Sequence, residues 1–313
     1  MLAALIYSYG SADVLELHTE VKIPEPAEDE VLVRVKAASV NPADWKIRRG
    51  DLKFISGIHF PKILGFDLAG EVVGIGSEVS RLRVGDKVFG ELDSFSQGSY
   101  AQFTVVKEHL LAHMPANLSF EQCAAVPLAG VSALQGLYAA NLVGEQRVLV
   151  LGGAGGVGTF VVQLAKAFSC EVTASAGPGN QIFLKELGAN FTFDYTCQTV
   201  RDLDGTYDII FDTVGKEEFA HCQPLLSKKG RFVTTLPQWA NAGSHLLSPF
   251  RRQKSKVLLL RQRLKDLQFL KKLLEKDTIH PVIDRVYPLE EIREAHLYSE
   301  NGHVRGKIVI SIS

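Results

Sequence analysis

The chain contains few cysteines, and they are widely spaced. Its four cysteines among 313 residues, Cys123, Cys170, Cys197 and Cys222, form no C-x-x-C pair. A disulfide framework or a sequence-local zinc site needs closely spaced cysteines, so neither is expected. This cysteine usage favours a reducing, cytoplasmic compartment.

Long apolar runs and an excess of charge are also missing. No apolar segment approaches the roughly 20 residues that cross a bilayer, and the start, MLAALIYSYG, lacks the basic region and cleavage site of a signal peptide. We therefore expect neither membrane insertion nor secretion. A formal net charge of -1 gives no overall attraction to nucleic acid. The basic stretch at residues 251–265 is interpreted as a solvated face.

Two patterns divide the chain. The first third alternates short β-rich runs with glycine turns, with strands predicted at residues 31–38, 68–75, 86–89 and 100–106. From about residue 119 onward, single apolar strands alternate with helices, beginning with a strand at 148–151 and a helix at 156–168. This alternation predicts a parallel, doubly wound sheet. The tail at 307–312 returns to β character and is expected to rejoin the first domain.

A glycine-rich loop follows the first apolar strand of the second part. The sequence VLVLGGAGGVG, residues 148–158, contains G-x-G-x-x-G at Gly153, Gly155 and Gly158. In a dinucleotide site the first glycine permits a tight turn, the second lets the backbone approach a pyrophosphate, and the third allows close helix packing. The helix N-terminus would offer N–H groups to the phosphates. The predicted phosphate-binding residues are Gly153, Ala154, Gly155, Gly156, Val157 and Gly158.

The loop expected to contact the cofactor ribose has no acidic residue. NAD-binding folds place an Asp or Glu about 20 residues after the fingerprint, but residues 174–180 read ASAGPGN. Without a carboxylate nothing repels a 2′-phosphate, so NADPH is favoured. No Lys or Arg stands in the loop either, which leaves NADH possible. Ser175 and Asn180 are the polar cofactor-binding candidates here.

Six segments together resemble one known family. They are SVNPADW (39–45), GFDLAG (65–70), VGDKVF (84–89), VPLAG (126–130), GGAGGVG (152–158) and GHVRGKI (302–308). In this order, over nearly the whole chain, they resemble the zinc-free quinone oxidoreductases (zeta-crystallin-like) of the medium-chain dehydrogenase/reductase superfamily. The resemblance implies a GroES-like, partly open β-barrel formed by residues 1–119 and 262–313, with a Rossmann domain inserted at 120–261. It further implies NADPH-dependent reduction of a quinone or α,β-unsaturated carbonyl, and a homodimer joined through an edge strand at 257–260.

The same resemblance implies roles for individual residues. Asn41 would lie beside the nicotinamide and substrate, where its amide could donate to a carbonyl; an Asx-turn before Pro42 is the alternative. Asp44 is the second catalytic candidate, and capping of a short helix at 45–49 is its alternative. Tyr195 would hold the 2′-phosphate. The remaining implied cofactor contacts, for which ordinary packing is the alternative, are Pro127, Ala129, Gly130, Val214, Thr234 and Leu236.

Ligands for zinc are missing from the matching positions. Zinc-dependent relatives place a Cys in the segment matching 39–45 and a His-Glu pair after the glycine matching Gly65, where this chain has Asn41 and then Phe66-Asp67. A catalytic zinc needs three Cys, His or carboxylate ligands, so no metal is expected. A different site built from His59, Asp44 and Asp67 is the alternative, although a surface histidine and two carboxylates in salt bridges are the commoner arrangement.

The absence of a Lewis acid narrows the reaction. A metal-free site cannot readily stabilise the alkoxide of a simple alcohol, whereas quinones and enones delocalise the charge left by hydride addition, so the protein mainly supplies position and orientation. Two other functions remain open. One is an NADPH-binding sensor or interaction protein with little turnover, and the other is a zinc-dependent alcohol dehydrogenase.

Overall fold

The computed structural model describes residues 1–93, 95, 97–235 and 252–313. Leu236 and the first residue of the basic stretch, Arg251, lie outside the described residues. The described strands are β1 (Ala3–Ile6), β2 (Glu16–His18), β3 (Glu30–Val40), β4 (Lys62–Ile63), β5 (Asp67–Ile75), β6 (Lys87–Glu91), β7 (Phe103–Lys107), β8 (Leu111–His113), β9 (Arg147–Leu151), β10 (Glu171–Ala176), β11 (Phe191–Asp194), β12 (Tyr207–Asp212), β13 (Leu226–Thr234), β14 (Lys254–Val257), β15 (Ile283–Pro288) and β16 (Lys307–Ser311). The α-helices are α1 (Pro42–Arg49), α2 (Lys53–Ser56), α3 (Phe120–Ala124), α4 (Pro127–Ala139), α5 (Gly156–Ala167), α6 (Gln181–Glu186), α7 (Phe219–Cys222), α8 (Leu264–Glu275) and α9 (Ile292–Asn301).

The first of two compact units contains Met1–Leu128, Gln262–Glu275 and Pro281–Ser313. Its larger sheet has the strand order β15-β16-β3-β5-β6-β8, with β7 also paired to β3, and a small second sheet has the order β2-β1-β4. Among the described strands, β15 and β8 end the larger sheet and do not pair with each other. The GroES-like, partly open barrel predicted from the sequence is therefore confirmed.

Alternation along β3 shows why this sheet forms. Val31, Val33 and Val35 are buried, while Arg34 between them is exposed, so one face of the strand packs into the apolar core of the unit. The tail strand β16 pairs with β3 in an antiparallel register that sets Ile308 against Val40. The prediction that the tail rejoins the first domain is confirmed.

The predicted strand at 100–106 begins too early. In the structure β7 begins at Phe103, because the preceding residues bond to the small sheet instead. Ala4 N donates to Tyr100 O at 2.9 Å, and Gln102 N donates to Leu2 O at 3.0 Å. Tyr100 and Gln102 thus each use one backbone group to bond to residues in or next to β1, and the Tyr100 side chain is buried.

The second compact unit contains Ala129–Arg261 and Lys276–His280. Its strands are all parallel, in the order β11-β10-β9-β12-β13-β14. Residues 148–150 of the central strand β9 are fully buried, as expected for a parallel strand covered on both faces. The predicted Rossmann sheet is confirmed. Strand order reverses at β9, since β10 lies on one side of it and β12 on the other, and such sheets bind ligands at the carboxyl end of this switch point.

The chain passes from the first unit to the second between Leu128 and Ala129, and it returns to the first unit between Arg261 and Gln262. The sequence places the domain boundaries at 119/120 and 261/262. The short segment 276–280 also returns to the second unit, although it follows α8. The functional domain limits stay a prediction.

Candidate functional site

The glycine loop of the second unit joins β9 to α5. Gly152 has a φ of +78°, and a Cβ there would lie 2.4 Å from a methyl group of Val214. The glycine that the tight turn requires is therefore Gly152 and not Gly153, which corrects the sequence interpretation. Gly153 is restricted by packing instead, because its Cβ would lie 3.0 Å from both Ala174 and Leu184.

The other two glycines of the fingerprint differ in what surrounds them. A Cβ on Gly158 would lie 2.1 Å from the carbonyl oxygen of Gly152, so this glycine allows α5 to pack closely against the loop. Gly155 is the N-cap of α5, and among the described residues its Cβ would come within 4 Å of the same carbonyl oxygen alone, at 3.6 Å. The loop is thus open on the side of Gly155, where the N–H groups of the first helical turn begin. Ala154, Gly156 and Val157 complete this segment.

Ser175, near the end of β10, anchors the glycine loop. Its hydroxyl accepts a hydrogen bond from Gly152 N at 3.1 Å, and its carbonyl accepts one from Gly153 N at 2.7 Å. The side chain is buried. The contacts of Ser175 therefore fix the shape of the glycine loop.

Asn180 and Tyr195 lie at the same end of the sheet. Asn180 is the N-cap of α6, and its N–H bonds to Gly177 O at 3.3 Å. Tyr195 follows β11 and is half exposed; its hydroxyl lies against Gly177, where a Cβ would be 3.0 Å away. Both residues therefore meet at Gly177, Asn180 through its backbone N–H and Tyr195 through its hydroxyl.

A buried aspartate organises the turn after β12. Asp212 accepts hydrogen bonds from Val214 N at 2.9 Å, Gly215 N at 2.8 Å and Glu217 N at 3.2 Å. Burial raises the pKa of Asp212. These bonds hold Val214 against Gly152. Thr234, on the neighbouring strand β13, lies opposite Asp212 in the sheet register.

The remaining predicted cofactor residues lie near the start of α4 or are not described. Pro127, Ala129 and Gly130 belong to the first turn of this helix and are buried. Leu236 lies outside the described residues. The assignment of these residues to cofactor binding stays a prediction.

In the first unit, three strand ends place polar side chains together. Asn41 directly follows β3, Asp67 begins β5 and Lys307 begins β16. The registers set Ser39 opposite Asp67 and Val40 opposite Ile308, so residues far apart in sequence meet at one edge of the sheet. All of these polar residues are buried.

Asp67 is the centre of this buried network. One of its oxygens, Oδ2, accepts from Ser39 Oγ at 2.6 Å and Asn41 Nδ2 at 2.9 Å, and Lys307 Nζ lies 3.2 Å away. The other oxygen accepts from Leu128 N at 2.8 Å, in the first turn of α4. Lys307 Nζ also donates to Asn41 Oδ1. The carboxylate and the ammonium are therefore both paired, as buried charges require.

Asp44 supports the backbone of Asn41. Its Oδ2 accepts from Asn41 N at 2.7 Å and from the Tyr100 hydroxyl at 3.0 Å. The helix predicted at 45–49 begins earlier, at Pro42, with Asn41 as its N-cap and Asp44 in its first turn. Burial raises the pKa of Asp44 to about 7, although the hydrogen bond from Asn41 opposes the shift.

Glu91 adds a third carboxyl group. It ends β6 directly opposite Asp67 in the sheet register. Burial, followed by the negative charge of Asp67, raises the pKa of Glu91 to about 8. Sequence reasoning missed Glu91 and Lys307, and it considered Asp67 as a metal ligand or as a carboxylate in a salt bridge, of which the structure shows the second, with Lys307. The one signal for Lys307 was a lysine at the start of an otherwise apolar tail strand.

The donor set around Asp67 does not fit a zinc ion. Lys307 already bridges the side chains of Asn41 and Asp67, and Phe66 packs its ring against Phe95. His59, the third residue of the alternative metal site, is exposed. Within the described parts of the chain, no group of three or more His, Cys, Asp or Glu side chains is placed to hold a metal. The absence of zinc from the working protein stays a prediction.

No described helix is both long and apolar enough to cross a membrane.

Comparison with known proteins places this architecture among dehydrogenases. Residues 27–116 match the family described as alcohol dehydrogenase GroES-like domain, and residues 187–310 match that described as zinc-binding dehydrogenase. A 2-methylene-furan-3-one reductase from Solanum lycopersicum is 38% identical, over 96% of this chain and 76% of the relative. An NADPH-dependent alkenal/one oxidoreductase, chloroplastic, from Arabidopsis thaliana is 34% identical, over 99% and 79%. The solved structure of the quinone oxidoreductase from Coxiella burnetii is 31% identical, covers 100% of this chain and 99% of its own, and has a TM-score of 0.91.

Proposed function

Because this chain belongs to the quinone oxidoreductase family of the medium-chain dehydrogenase/reductase superfamily, we propose that it reduces quinones or α,β-unsaturated carbonyls with NADPH and without a metal. The buried network of Asn41, Asp67 and Lys307 carries the proposal. It provides an N–H donor and a positive charge where zinc-dependent relatives have metal ligands. Such a site suits acceptors that delocalise the charge left by hydride addition.

The second unit has the features needed to hold the dinucleotide. Backbone N–H groups of the glycine loop and of the start of α5 would hold the pyrophosphate beside Gly155, which leaves room for it. Tyr195 and Asn180 would contact the 2′-phosphate. Because the 174–180 loop has no basic residue, the proposal is a preference for NADPH with some use of NADH. When bound, the cofactor supplies the hydride.

The proposal also includes cofactor contacts for the other residues predicted from the sequence. Val214 and Thr234 would border the nicotinamide half, Leu236 would follow them, and Pro127, Ala129 and Gly130 would pack against the ring. Small side chains at positions 129 and 130 permit the close approach that this packing needs.

The two candidate catalytic residues receive different roles. Within the described residues, Asn41 Nδ2 donates to Asp67 alone, so its second hydrogen is the one that would meet the acceptor oxygen. Asp44 contacts Asn41 N and the Tyr100 hydroxyl. We therefore assign Asn41 to the substrate and Asp44 to the positioning of Asn41.

Nicotinamide oxidation by the purified protein tests this function. The rates with NADPH and NADH would be followed by absorbance, with para-benzoquinone, phenanthrenequinone and a simple enone, before and after treatment with EDTA. We expect oxidation that is faster with NADPH and unchanged by EDTA. Tight NADPH binding without turnover would instead support the sensor function, and loss of activity with EDTA would support the zinc-dependent alcohol dehydrogenase.

A homodimer is part of the proposal. The edge strand of the Rossmann sheet is β14, at Lys254–Val257, about three residues before the strand predicted at 257–260. Leu258 N continues the pairing by donating to Thr234 O at 2.8 Å, and the next side chain, Leu259, is 78% exposed. Light scattering at micromolar concentration should give twice the mass of the chain, and Leu259→Glu should lower it toward the monomer. A wild-type monomer would refute this part.

A reducing compartment, with the cytoplasm as the expected one, is also proposed. All four cysteines are free, and three of them are buried. One relative is named as chloroplastic. Fractionation of cells that express the tagged full-length protein therefore has to separate organelles from cytosol, and recovery in the organelle fraction would overturn the cytoplasmic location.

A further inference from the structure

Lys307 is a buried cation to which the sequence analysis assigned no role. It is the first residue of β16 and is 4% exposed. Burying an ammonium is costly even when it is paired, and an apolar side chain of similar volume often replaces a buried ion pair without loss of stability. The fold alone therefore does not account for a lysine at this position.

The contacts of Lys307 fix both polar atoms of one side-chain amide. Its Nζ donates to Asn41 Oδ1, while Asn41 Nδ2 donates to Asp67 Oδ2 at 2.9 Å. Lys307 Nζ also lies 3.2 Å from that same Asp67 oxygen. The orientation of the Asn41 amide is thus determined, with its oxygen toward a positive charge. A cation on the oxygen of an amide makes its N–H groups stronger donors.

We propose that Lys307 is the positioning residue that makes Asn41 a donor to the developing oxyanion of the acceptor. This proposal rests on the function proposed above. In enone reduction, hydride forms a C–H bond at the β-carbon, the C=C pair shifts toward the carbonyl, and the C=O π pair moves onto oxygen. The resulting enolate takes a proton from water at the α-carbon, and NADP⁺ is released. The free hydrogen of Asn41 Nδ2 binds the oxygen while it carries the negative charge.

The effect of Lys307 depends on the acceptor. The oxygen of an enolate is more basic than the oxygen of a hydroquinone anion, because the hydroquinone anion spreads its charge over an aromatic ring. A donor that stabilises the oxyanion therefore contributes more to enone reduction than to quinone reduction. A residue that only held the fold would affect both acceptors equally.

A second buried lysine in the same unit provides a matched control. Lys62, on β4, is 2% exposed, and its Nζ donates to the Ser56 carbonyl oxygen at 2.8 Å. No part of the proposed site involves this contact. Lys62→Met removes a buried ammonium from outside the site and leaves only a carbonyl oxygen without its donor, so it measures how far loss of a buried lysine alone affects cofactor binding and the two reactions.

The experiment compares wild type, Lys307→Met, Lys62→Met, Asn41→Leu and the double variant Lys307→Met/Asn41→Leu. We expect Lys307→Met to lower kcat for the enone by about 100-fold and kcat for para-benzoquinone by less than about 10-fold. The Kd for NADPH should match that of Lys62→Met, whereas the Tm of Lys307→Met should be lower, because the buried Asp67 carboxylate loses its cation. The double variant should be no slower than Asn41→Leu, because Lys307 acts through Asn41.

Several results would overturn the inference. Equal losses with both acceptors, or multiplicative losses in the double variant, would show that Lys307 does not act through Asn41 on the oxyanion. If Lys307→Met does not fold, Lys307→Arg serves instead: it keeps the charge, and it should restore the enone rate more than the quinone rate relative to Lys307→Gln. A wild type that reduces neither acceptor would refute the proposed function, which is a separate outcome.

Discussion

Alanine at two glycines of the same loop should separate cofactor binding from stability. Gly155 and Gly158 are three residues apart, at the start of α5. At Gly155 a methyl group would make one ordinary contact, 3.6 Å from the Gly152 carbonyl oxygen; at Gly158 it would be 2.1 Å from the same atom. Among the described residues, the first methyl group would have no close contact, whereas the second would overlap the backbone.

These distances give different magnitudes for the two variants. Gly155→Ala should change the free energy of unfolding by less than about 1 kcal/mol, because the poorer N-cap is offset by a less flexible unfolded chain. Its methyl group would occupy the space of a pyrophosphate oxygen. Losing one charge-assisted hydrogen bond, about 1.5–3 kcal/mol, raises the Kd for NADPH roughly 10- to 100-fold. Gly158→Ala should destabilise by about 1–3 kcal/mol through overpacking.

Two measurements on each variant are sufficient: a fluorescence titration with NADPH and a thermal melt without cofactor. The expected pattern is a normal Tm with weak binding for Gly155→Ala, and a lowered Tm for Gly158→Ala. Gly179→Ala is not a suitable control, since Gly179 has a φ of +78°, whereas Gly74 is suitable, because its φ is not positive and the nearest described atom to its Cβ would be a side-chain carbon of Leu32 at 3.4 Å, an ordinary contact. Unchanged NADPH affinity in Gly155→Ala would refute the placement of the pyrophosphate on this side of the loop.

Three further predictions concern buried polar groups. Burial raises the pKa of Asp44 to about 7. Wild type should therefore lose stability relative to Asp44→Asn as the pH rises from about 4 to 7, by up to about 1.4 kcal/mol per pH unit. A difference in denaturant melts that does not change with pH would contradict this prediction. Burial lowers the pKa of His296 to about 3, so wild type should lose stability relative to His296→Phe as the pH falls from about 6.5 toward 3, and parallel curves would count against it. Asp212→Ala should lower the free energy of unfolding by about 1–3 kcal/mol and weaken NADPH binding, because three N–H groups lose their acceptor. Asp212→Asn should lower the free energy of unfolding less. Equal Tm values for wild type and both variants would show that the turn does not need the carboxylate.

The parts of the fold that follow from local pattern were predictable. The apolar strand at 148–151, the glycine loop and the helix after it occur in one continuous segment, so their spacing identifies the motif. The choice of Gly152 over Gly153 as the turn residue was not predictable in this way. Several adjacent glycines can each adopt a positive φ, and the contact with Val214 that restricts Gly152 comes from the turn after β12, some 60 residues later.

The buried network depends on long-range register, which sequence alone specifies poorly. Asn41 and Lys307 are 266 residues apart, and they meet because β16 pairs with β3 so that Ile308 faces Val40. Alternation predicts that the tail is a strand. It does not fix the partner residue, and a shift of one position would turn Lys307 to the other face.

Asn41 shows why its two interpretations from the sequence were not true alternatives. An Asx-turn or helix cap uses the side-chain oxygen as an acceptor and leaves the two hydrogens of the amide nitrogen free. In the structure Asn41 is the N-cap of α1, and Asp44 accepts from its backbone N–H. The Asn41 side chain accepts from Lys307 and donates to Asp67. A position at the start of a helix therefore does not prevent the amide from donating to a substrate. Asp44 and Lys307 together determine what Asn41 can do, one through its backbone and the other through its side chain.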